Sequence, residues 1–365
     1  MKLHLYIARR FLRAFLLVLV VLGCVFILLD MVEQIGRFDS GSVGFLDLLR
    51  LTLMNMPEWM YRILPLTVIL ATLVLFLALA RSSEMVVTRA AGRSALITLI
   101  APAATVFVIG LLGVSVINPI AAATSKQYQV LAARYGGNTA SILSISAEGL
   151  WLRQGDATGQ TVINAKRTGA DGTELFEVTF FSFTEGGLPR NRVEAESAKL
   201  QTGRWALRDA KVWSLSAGEN PEMDAVRHRA FWVRSNLTPD QIEDSFGRPS
   251  SIAIWDLPAF VAQLEQAGFS ARAHQVWMHM ELALPLFLVA MVLVGAGFTM
   301  RHTRFGHTGL MVMLALVFGF GIYFIRNFAQ VLGENGQIPV LVAAWTPPVA
   351  AILASLGILL HLEDG

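Results

Sequence analysis

The sequence predicts an α-helical integral membrane protein of six transmembrane helices, three on either side of an inserted all-β domain of sandwich or jelly-roll type. Three observations carry this. Of the 365 residues, 54% are hydrophobic and only 15% charged, whereas soluble domains carry about 25% charged residues. Six apolar runs, at 11–32, 59–80, 95–118, 278–300, 308–329 and 338–361, have the length of about 20 residues that a spanning helix needs. Between the third and fourth runs lies a stretch of mixed polarity, about 120–270, that holds no long apolar run. The chain therefore divides into 1–119, 120–270 and 271–365.

The first span follows Lys2, Arg9, Arg10 and Arg13. A cleaved signal peptide, even of twin-arginine type at Arg9 and Arg10, is the competing reading. The apolar run is long for that and no small-residue cleavage site follows it, so it is taken as a retained span. Arg81, Arg89 and Arg93 lie in the second loop, and Arg301 and Arg304 in the fourth. The 33–58 loop holds Arg37 and Arg50, and the 330–337 loop holds no Lys or Arg. This alternation predicts cytoplasmic termini and places the 120–270 insert outside.

The insert reads as β. LFEVTFFSF (175–183), VEAESAKL (193–200), WALRDAKVWSL (205–215) and HRAFWVRS (228–235) mix aromatic and β-branched residues with partial alternation. The turns TGADG, EGGLPR and TGR separate them, the spacing of an antiparallel sandwich or jelly roll. Phe176, Phe180, Phe181, Phe183, Trp205 and Trp213 line either a groove or a core. WDLPAFVAQLEQAG (255–268) then switches to helical spacing, with Phe260, Leu264 and Ala267 on one face and Gly268 as a stop.

Composition excludes several classes of function. A formal net charge of +2 is too small to argue for nucleic acid, and one cysteine, Cys24, allows no intrachain disulfide. No Cys/His cluster has the spacing of a zinc site, and no G-x-x-x-x-G-K-[ST] loop is present for nucleotide; no cofactor is expected. His274 and His279 in HQVWMHME are five apart, not the i, i+4 of a zinc-protease helix. His302 and His307 sit in a short basic loop.

The stretch RSSEMVVTRAAGRS (81–94) between the second and third spans reads as a short helix. Ser82 or Ser83 supplies an N-cap, Glu84 lies in the first turn where the helix dipole favours an anion, and Gly92 sits at the C′ position. Met85 and Val86 fall at i, i+4 and i, i+3 from Arg89 and Ala90, an apolar ridge beside one acid and one base. Such a helix either turns the chain at the membrane surface or docks a cytoplasmic partner, as a permease receives force from a separate ATPase subunit.

The pattern Ser83, Glu84, Met85, Val86, Val87, Ala90 and Gly92 resembles the coupling helix of the lipopolysaccharide-export permeases, the LptF/LptG (YjgP/YjgQ) family. RYGG (134–137), EGLWLRQG (148–155) and NLTPDQI (236–242) also resemble segments of that family. The resemblance covers the whole chain and leans to the LptG branch. It implies one of two transmembrane halves of an ABC transporter in the inner membrane of a Gram-negative bacterium, paired with an LptF-like permease and driven by an LptB-like ATPase homodimer. Such a complex extracts lipopolysaccharide and passes it through periplasmic jelly-roll domains to LptC and LptA. The resemblance puts the first and fifth spans at lateral gates and gives Glu84 the place of the acid that meets the ATPase. The chain itself is expected to be a non-catalytic subunit.

Four arginines are the candidates for lipopolysaccharide contact: Arg37, Arg62, Arg134 and Arg326. The family commonly places basic residues near the end of the first span; this chain has Asp30, Glu33, Gly36 and Arg37 there. Arg326 and Asn327, late in the fifth span, depart from the acid that family members often carry, and an arginine so placed either snorkels to the interface or meets a phosphate or a partner. Pro347 and Pro348 interrupt the sixth span, and Gly295, Gly297, Gly319 and Gly321 offer close helix approaches. Two other classes remain open: an intramembrane hydrolase, for which no catalytic set is visible, and a non-transporting scaffold with an external binding domain.

Overall fold

The computed structural model describes residues 2–37, 43–90, 94–135, 144–146, 149–156, 159–169, 173–184, 186–215, 221–235, 237–238, 248–266, 269–300 and 308–363. Gly92, the glycines of RYGG, Glu148, most of NLTPDQI, Gly268 and the 301–307 loop lie outside them. The chain divides into two compact units: Met1–Gly136 with Ser250–Trp255 and Arg272–Gly365, and Gly137–Pro249 with Asp256–Ala271.

The first unit is helical. Its elements are α1 (Lys2–Arg37), α2 (Phe45–Arg62), α3 (Leu64–Arg81), α4 (Glu84–Ala90), α5 (Ala95–Leu112) and α6 (Asn118–Tyr135), then α8 (Arg272–Thr299), α9 (Thr308–Glu334) and α10 (Val340–Glu363). Among the described residues six helical runs are long and apolar enough to cross a membrane: Lys2–Arg37, Leu64–Arg81, Leu96–Ala132, Arg272–Thr299, Gly309–Glu334 and Val340–His361. Three precede the β unit in the chain and three follow it. Beyond Glu281, α8 is apolar all round, and the helix packs against α3, α5, α9 and α10, as a stretch without a polar face must. α1 and α9 bury far less of themselves, and many of their apolar side chains, among them Leu17, Val20 and Leu28 on α1 and Val317, Phe324 and Phe328 on α9, stand exposed.

Glycine sets the closest approaches. A Cβ at Gly110 would lie 2.6 Å from Pro285 Cα, one at Gly295 2.9 Å from Thr72 and one at Gly319 2.4 Å from Ile69 Cδ1. Gly297 makes only ordinary contact with Ile358, and Gly321 meets nothing, so of the four glycines singled out in the sequence two serve as contact points. α10 continues as helix through Pro347 and Pro348.

Two departures from the sequence reading have local causes. Most of the expected 33–58 loop is the helix α2, whose Leu51 joins Val43 in a small core with Leu48, Tyr128, Leu131 and Ala132. Its apolar positions are too few for a span and recur at helical spacing instead. The residues from 120 to Tyr135, expected within the insert, extend the third span as α6. Between α5 and α6 lies one π-helical turn, Gly113–Ile117. Pro119 has no N–H for the carbonyl of Ser115, and Trp255 Nε1 donates to that carbonyl instead, at 3.1 Å.

The second unit holds a seven-stranded antiparallel sheet: β1 (Ser144–Ser146), β2 (Gly149–Asp156), β3 (Gly159–Thr168), β4 (Glu174–Phe183), β5 (Pro189–Gln201), β6 (Arg204–Ser214) and β7 (Val226–Arg234). The strands pair in chain order from β1 to β7. The described strands thus form an antiparallel β unit that runs as a meander, and the jelly-roll part of the expectation does not rest on them. α7 (Leu257–Gln266) covers it, and Val261 and Leu264 join Leu150, Ile163, Phe180 and Trp205 in one core. Phe180 and Trp205 are therefore core residues in edge contact. Phe176, Phe181 and Trp213 instead lie under the guanidinium groups of Arg167 and Arg192.

A crease crosses this sheet. Inward residues alternate along each strand and then slip by one: Ile163, Ala165, Thr168 on β3; Leu175, Val178, Phe180 on β4; Val193, Ala195, Ala198 on β5; Trp205, Leu207, Ala210 on β6. The slips lie side by side, because Arg167 pairs with Phe176, Phe176 with Ser197 and Ser197 with Arg208. Glu177 and Asp209 reach positive φ there, 50° and 51°. Two successive outward residues interrupt the alternation of a pleated strand, and the four interruptions form one line across the sheet.

Candidate functional site

The most tightly connected of the expected site residues is Glu84, the first residue of α4. α3 ends at Arg81, Ser83 takes positive φ of 58°, and the chain restarts as helix at Glu84. Arg10 Nη1 donates to both carboxylate oxygens, at 2.7 and 2.8 Å. Tyr6 Oη donates to one of them at 3.0 Å and Ser82 Oγ to the other at 2.8 Å. Tyr6 and Arg10 are one helical turn apart on α1, and the guanidinium lies over the tyrosine ring. Burial acts to raise the Glu84 pKa, but the hydrogen bonds from Ser82, Tyr6 and Arg10, with the Arg10 charge, outweigh it and hold the carboxyl below its usual 4.5.

Ser83 contributes its carbonyl, which accepts the N–H of Val87. Met85 is half-buried, Ala90 exposed and Val87 strongly exposed. Val86 and Arg89 are helical residues of α4 whose side chains lie outside the described set, as does the whole of Gly92. Short as it is, α4 thus presents a polar junction to α1 and an apolar residue outward.

A second polar centre lies among the helices. A cavity of about 310 Å³ is lined by Tyr61, Arg62, Asn118, Glu281, Arg326 and Asn327, among others. Glu281 is 2% exposed. It accepts hydrogen bonds from Tyr61 Oη and from Asn118 Nδ2, and Asn118 Oδ1 accepts the Ile254 N–H at 3.0 Å. Arg326 interacts electrostatically with Glu281 and lies over the Phe287 ring at 5.1 Å. Buried charge in a spanning segment calls for such an opposite charge.

The four arginine candidates separate. Arg62 and Arg326 share this cavity, with Arg62 also 3.2 Å from Glu58 and over the Trp59 ring. Arg37 is elsewhere, donating to Tyr128 Oη at 3.3 Å. Arg134 is in α6 with its side chain outside the described set. Sequence reasoning missed Glu281, Asn118 and Tyr61 as partners, and it treated Arg10 only as a topogenic charge. An acid inside a spanning run that also faces an arginine-bearing run was the available signal for Glu281; nothing in the sequence points Arg10 at Glu84.

The family model described as "Lipopolysaccharide export system permease LptF/LptG" matches residues 5–361. Among curated proteins, the lipopolysaccharide export system permease protein LptG of Escherichia coli (strain K12) is 25% identical over 344 residues, covering 92% of this chain and 91% of the relative. The protein of the same name from Haemophilus influenzae is 22% identical over 374 residues, covering 98% of each. A match across nearly the full length, spans and β unit alike, leaves one assignment: the chain belongs to the LptF/LptG permease family.

Proposed function

We propose that the protein is a transmembrane permease subunit of a lipopolysaccharide exporter of the inner membrane, acting beside an LptF-like permease and driven by a separate LptB-like ATPase homodimer. The observation that carries this reading is α4, a short helix between two spans bearing the family's acid at its start. Both termini and α4 are cytoplasmic in this reading, as the lysine and arginine bias favours. The β unit is then periplasmic and hands lipid to LptC and LptA. Energy enters at α4, with Glu84, Met85, Val86, Arg89 and Ala90 as the coupling surface together with Ser83 and Gly92. The lipid's anionic head group meets Arg62 and Arg326 at their shared cavity, with Arg37 and Arg134 as further contacts.

The test is co-purification of the chain with candidate LptB and LptF proteins, followed by ATPase and lipopolysaccharide-release assays on the reconstituted complex. Wild type is expected to recruit the ATPase, and Glu84→Ala to lower coupled turnover. A wild-type chain that recruits no ATPase overturns the proposal in favour of a membrane scaffold. Charge reversal at Arg37 and at Arg326 tests the lipid contacts; unchanged export in both variants removes them.

A further inference from the structure

The hydrogen-bond inventory of Glu84 departs from that of a docking charge. An ionised carboxylate offers about four lone-pair sites, and Glu84 receives four donated hydrogen bonds from its own chain: two from Arg10, one from Tyr6 and one from Ser82. The acid that begins α4 is thus turned toward α1. The outward apolar contact on α4 comes instead from residues such as Val87.

α1 is fastened at its other end as well. Asn55 Nδ2 donates to Asp30 Oδ1 at 2.6 Å, and Tyr128 Oη accepts from Gln34 at 2.8 Å and from Arg37 at 3.3 Å. Between these points one stripe of α1, including Ile7, Phe11 and Phe15, is buried, while much of the rest is bare. A helix of 36 residues is a stiff rod of about 54 Å at 1.5 Å per residue. Held by polar contacts near each end and uncovered along a flank, α1 is built to move with whatever displaces α4.

We propose that Arg10 and Tyr6 are positioning residues that fasten the coupling helix α4 to the first span, so that a push on α4 is delivered to α1 directly as well as through α3 and α5. This rests on the reading of α4 as the point where an ATPase acts. Arg10 Nη1 carries the charge and the twofold hydrogen bond. Tyr6 fills a further acceptor site on the carboxylate and supports the guanidinium with its ring. No contact between Arg10 and the ATPase is required.

The experiment uses the full complex in proteoliposomes and reads two quantities: recovery of the ATPase with the chain, and lipopolysaccharide moved per ATP hydrolysed. Wild type, Arg10→Gln, Tyr6→Phe and the conservative variant Arg10→Lys are compared. Arg10→Gln is expected to retain the ATPase yet lower the ratio by up to about fivefold, the upper scale of one partly exposed ion pair. Tyr6→Phe, keeping the ring and losing one hydrogen bond, lowers it less. Arg10→Lys, which keeps the charge opposite Glu84, recovers part of what Arg10→Gln loses. A wild-type ratio in Arg10→Gln overturns the fastening, and so does an Arg10→Lys ratio no better than that of Arg10→Gln. Simple misfolding would lower recovery of the complex, which the ratio does not share. Failure of wild type itself to recruit an ATPase is a different result, and it removes the functional reading rather than the geometry.

Discussion

Replacing Glu281 by Gln keeps the shape of the side chain and removes its charge from the cavity it shares with Arg326. Glu281 is almost fully buried and accepts from Tyr61 and Asn118. The substitution weakens two hydrogen bonds and removes the electrostatic attraction to Arg326. Leaving a buried hydrogen-bonding group poorly satisfied costs about 1–3 kcal/mol. For a unit of this size each kcal/mol lowers the melting temperature by about 2–4 °C, so Glu281→Gln is expected to melt at least about 2 °C below wild type. Arg326→Gln should also destabilise, because it removes the same attraction. The double variant Glu281→Gln/Arg326→Gln should cost less than the sum of the singles by more than about 0.5 kcal/mol. Thermal unfolding of the detergent-purified proteins, followed by retention of the monodisperse peak, gives all four values. Additivity of the two substitutions within about 0.5 kcal/mol would falsify the coupling between Glu281 and Arg326.

The other predictions concern separate features. Glu84 has its pKa depressed, so its contribution to the α1–α4 junction is fully present above the usual carboxylate value and is lost only as pH falls through the lower folded value. Hydrogen exchange in α4, corrected for intrinsic rate, should therefore be flat from neutral pH down to about 5 and rise only below the usual 4.5; a rise near pH 6 contradicts this. Asp209 sits at φ 51° within β6, a conformation that costs an ordinary L-residue about 1–2 kcal/mol and glycine little. Asp209→Gly should raise the melting temperature of the β unit and Asp209→Val lower it, by differential scanning fluorimetry. Gly110→Ala places a methyl 2.6 Å from the Pro285 backbone and should destabilise by about 1–3 kcal/mol, whereas Gly321→Ala meets nothing and should be neutral in the same melting assay.

What was legible in the sequence follows from which forces are local. Six apolar runs declare themselves because burial in lipid demands an uninterrupted length, and each overlaps most of a candidate spanning helix, although the second run begins in α2 and crosses the break at Ile63. The strands between 174 and 234 were legible from their β-branched and aromatic content. Their crease was visible only as imperfect alternation in LFEVTFFSF. One strand read alone cannot distinguish a defect from a shared feature; four strands that break alternation at paired positions can. α2 was missed because its packing surface, Leu51 against Tyr128 and Leu131, is supplied by residues far along the chain. The site divides the same way. The α4 motif is contiguous and could be read. The Arg10–Glu84 contact spans 74 positions and the Asn118–Glu281 contact 163, and only folding brings these partners together.

Residues 250–255 illustrate the limit most clearly. By chain order they belong to the stretch between the spans, yet they are part of the helical unit. The reason is a debt of hydrogen bonds at the α5–α6 junction. Pro119 leaves the Ser115 carbonyl without its helical donor, and in a spanning segment an unsatisfied carbonyl costs several kcal/mol. Trp255 Nε1 meets it, and one residue earlier the Ile254 N–H is accepted by Asn118. Asn118 turns its other end to Glu281, which also receives Tyr61. One proline in the third span therefore accounts for where the returning chain docks, and Asn118 for how that segment joins the carboxylate of α8. The same carboxylate interacts electrostatically with Arg326 on α9, with which it lines one cavity. A substitution at Pro119, Asn118 or Glu281 consequently acts on one connected set of groups, and none of the three can be treated as a local change in its own helix.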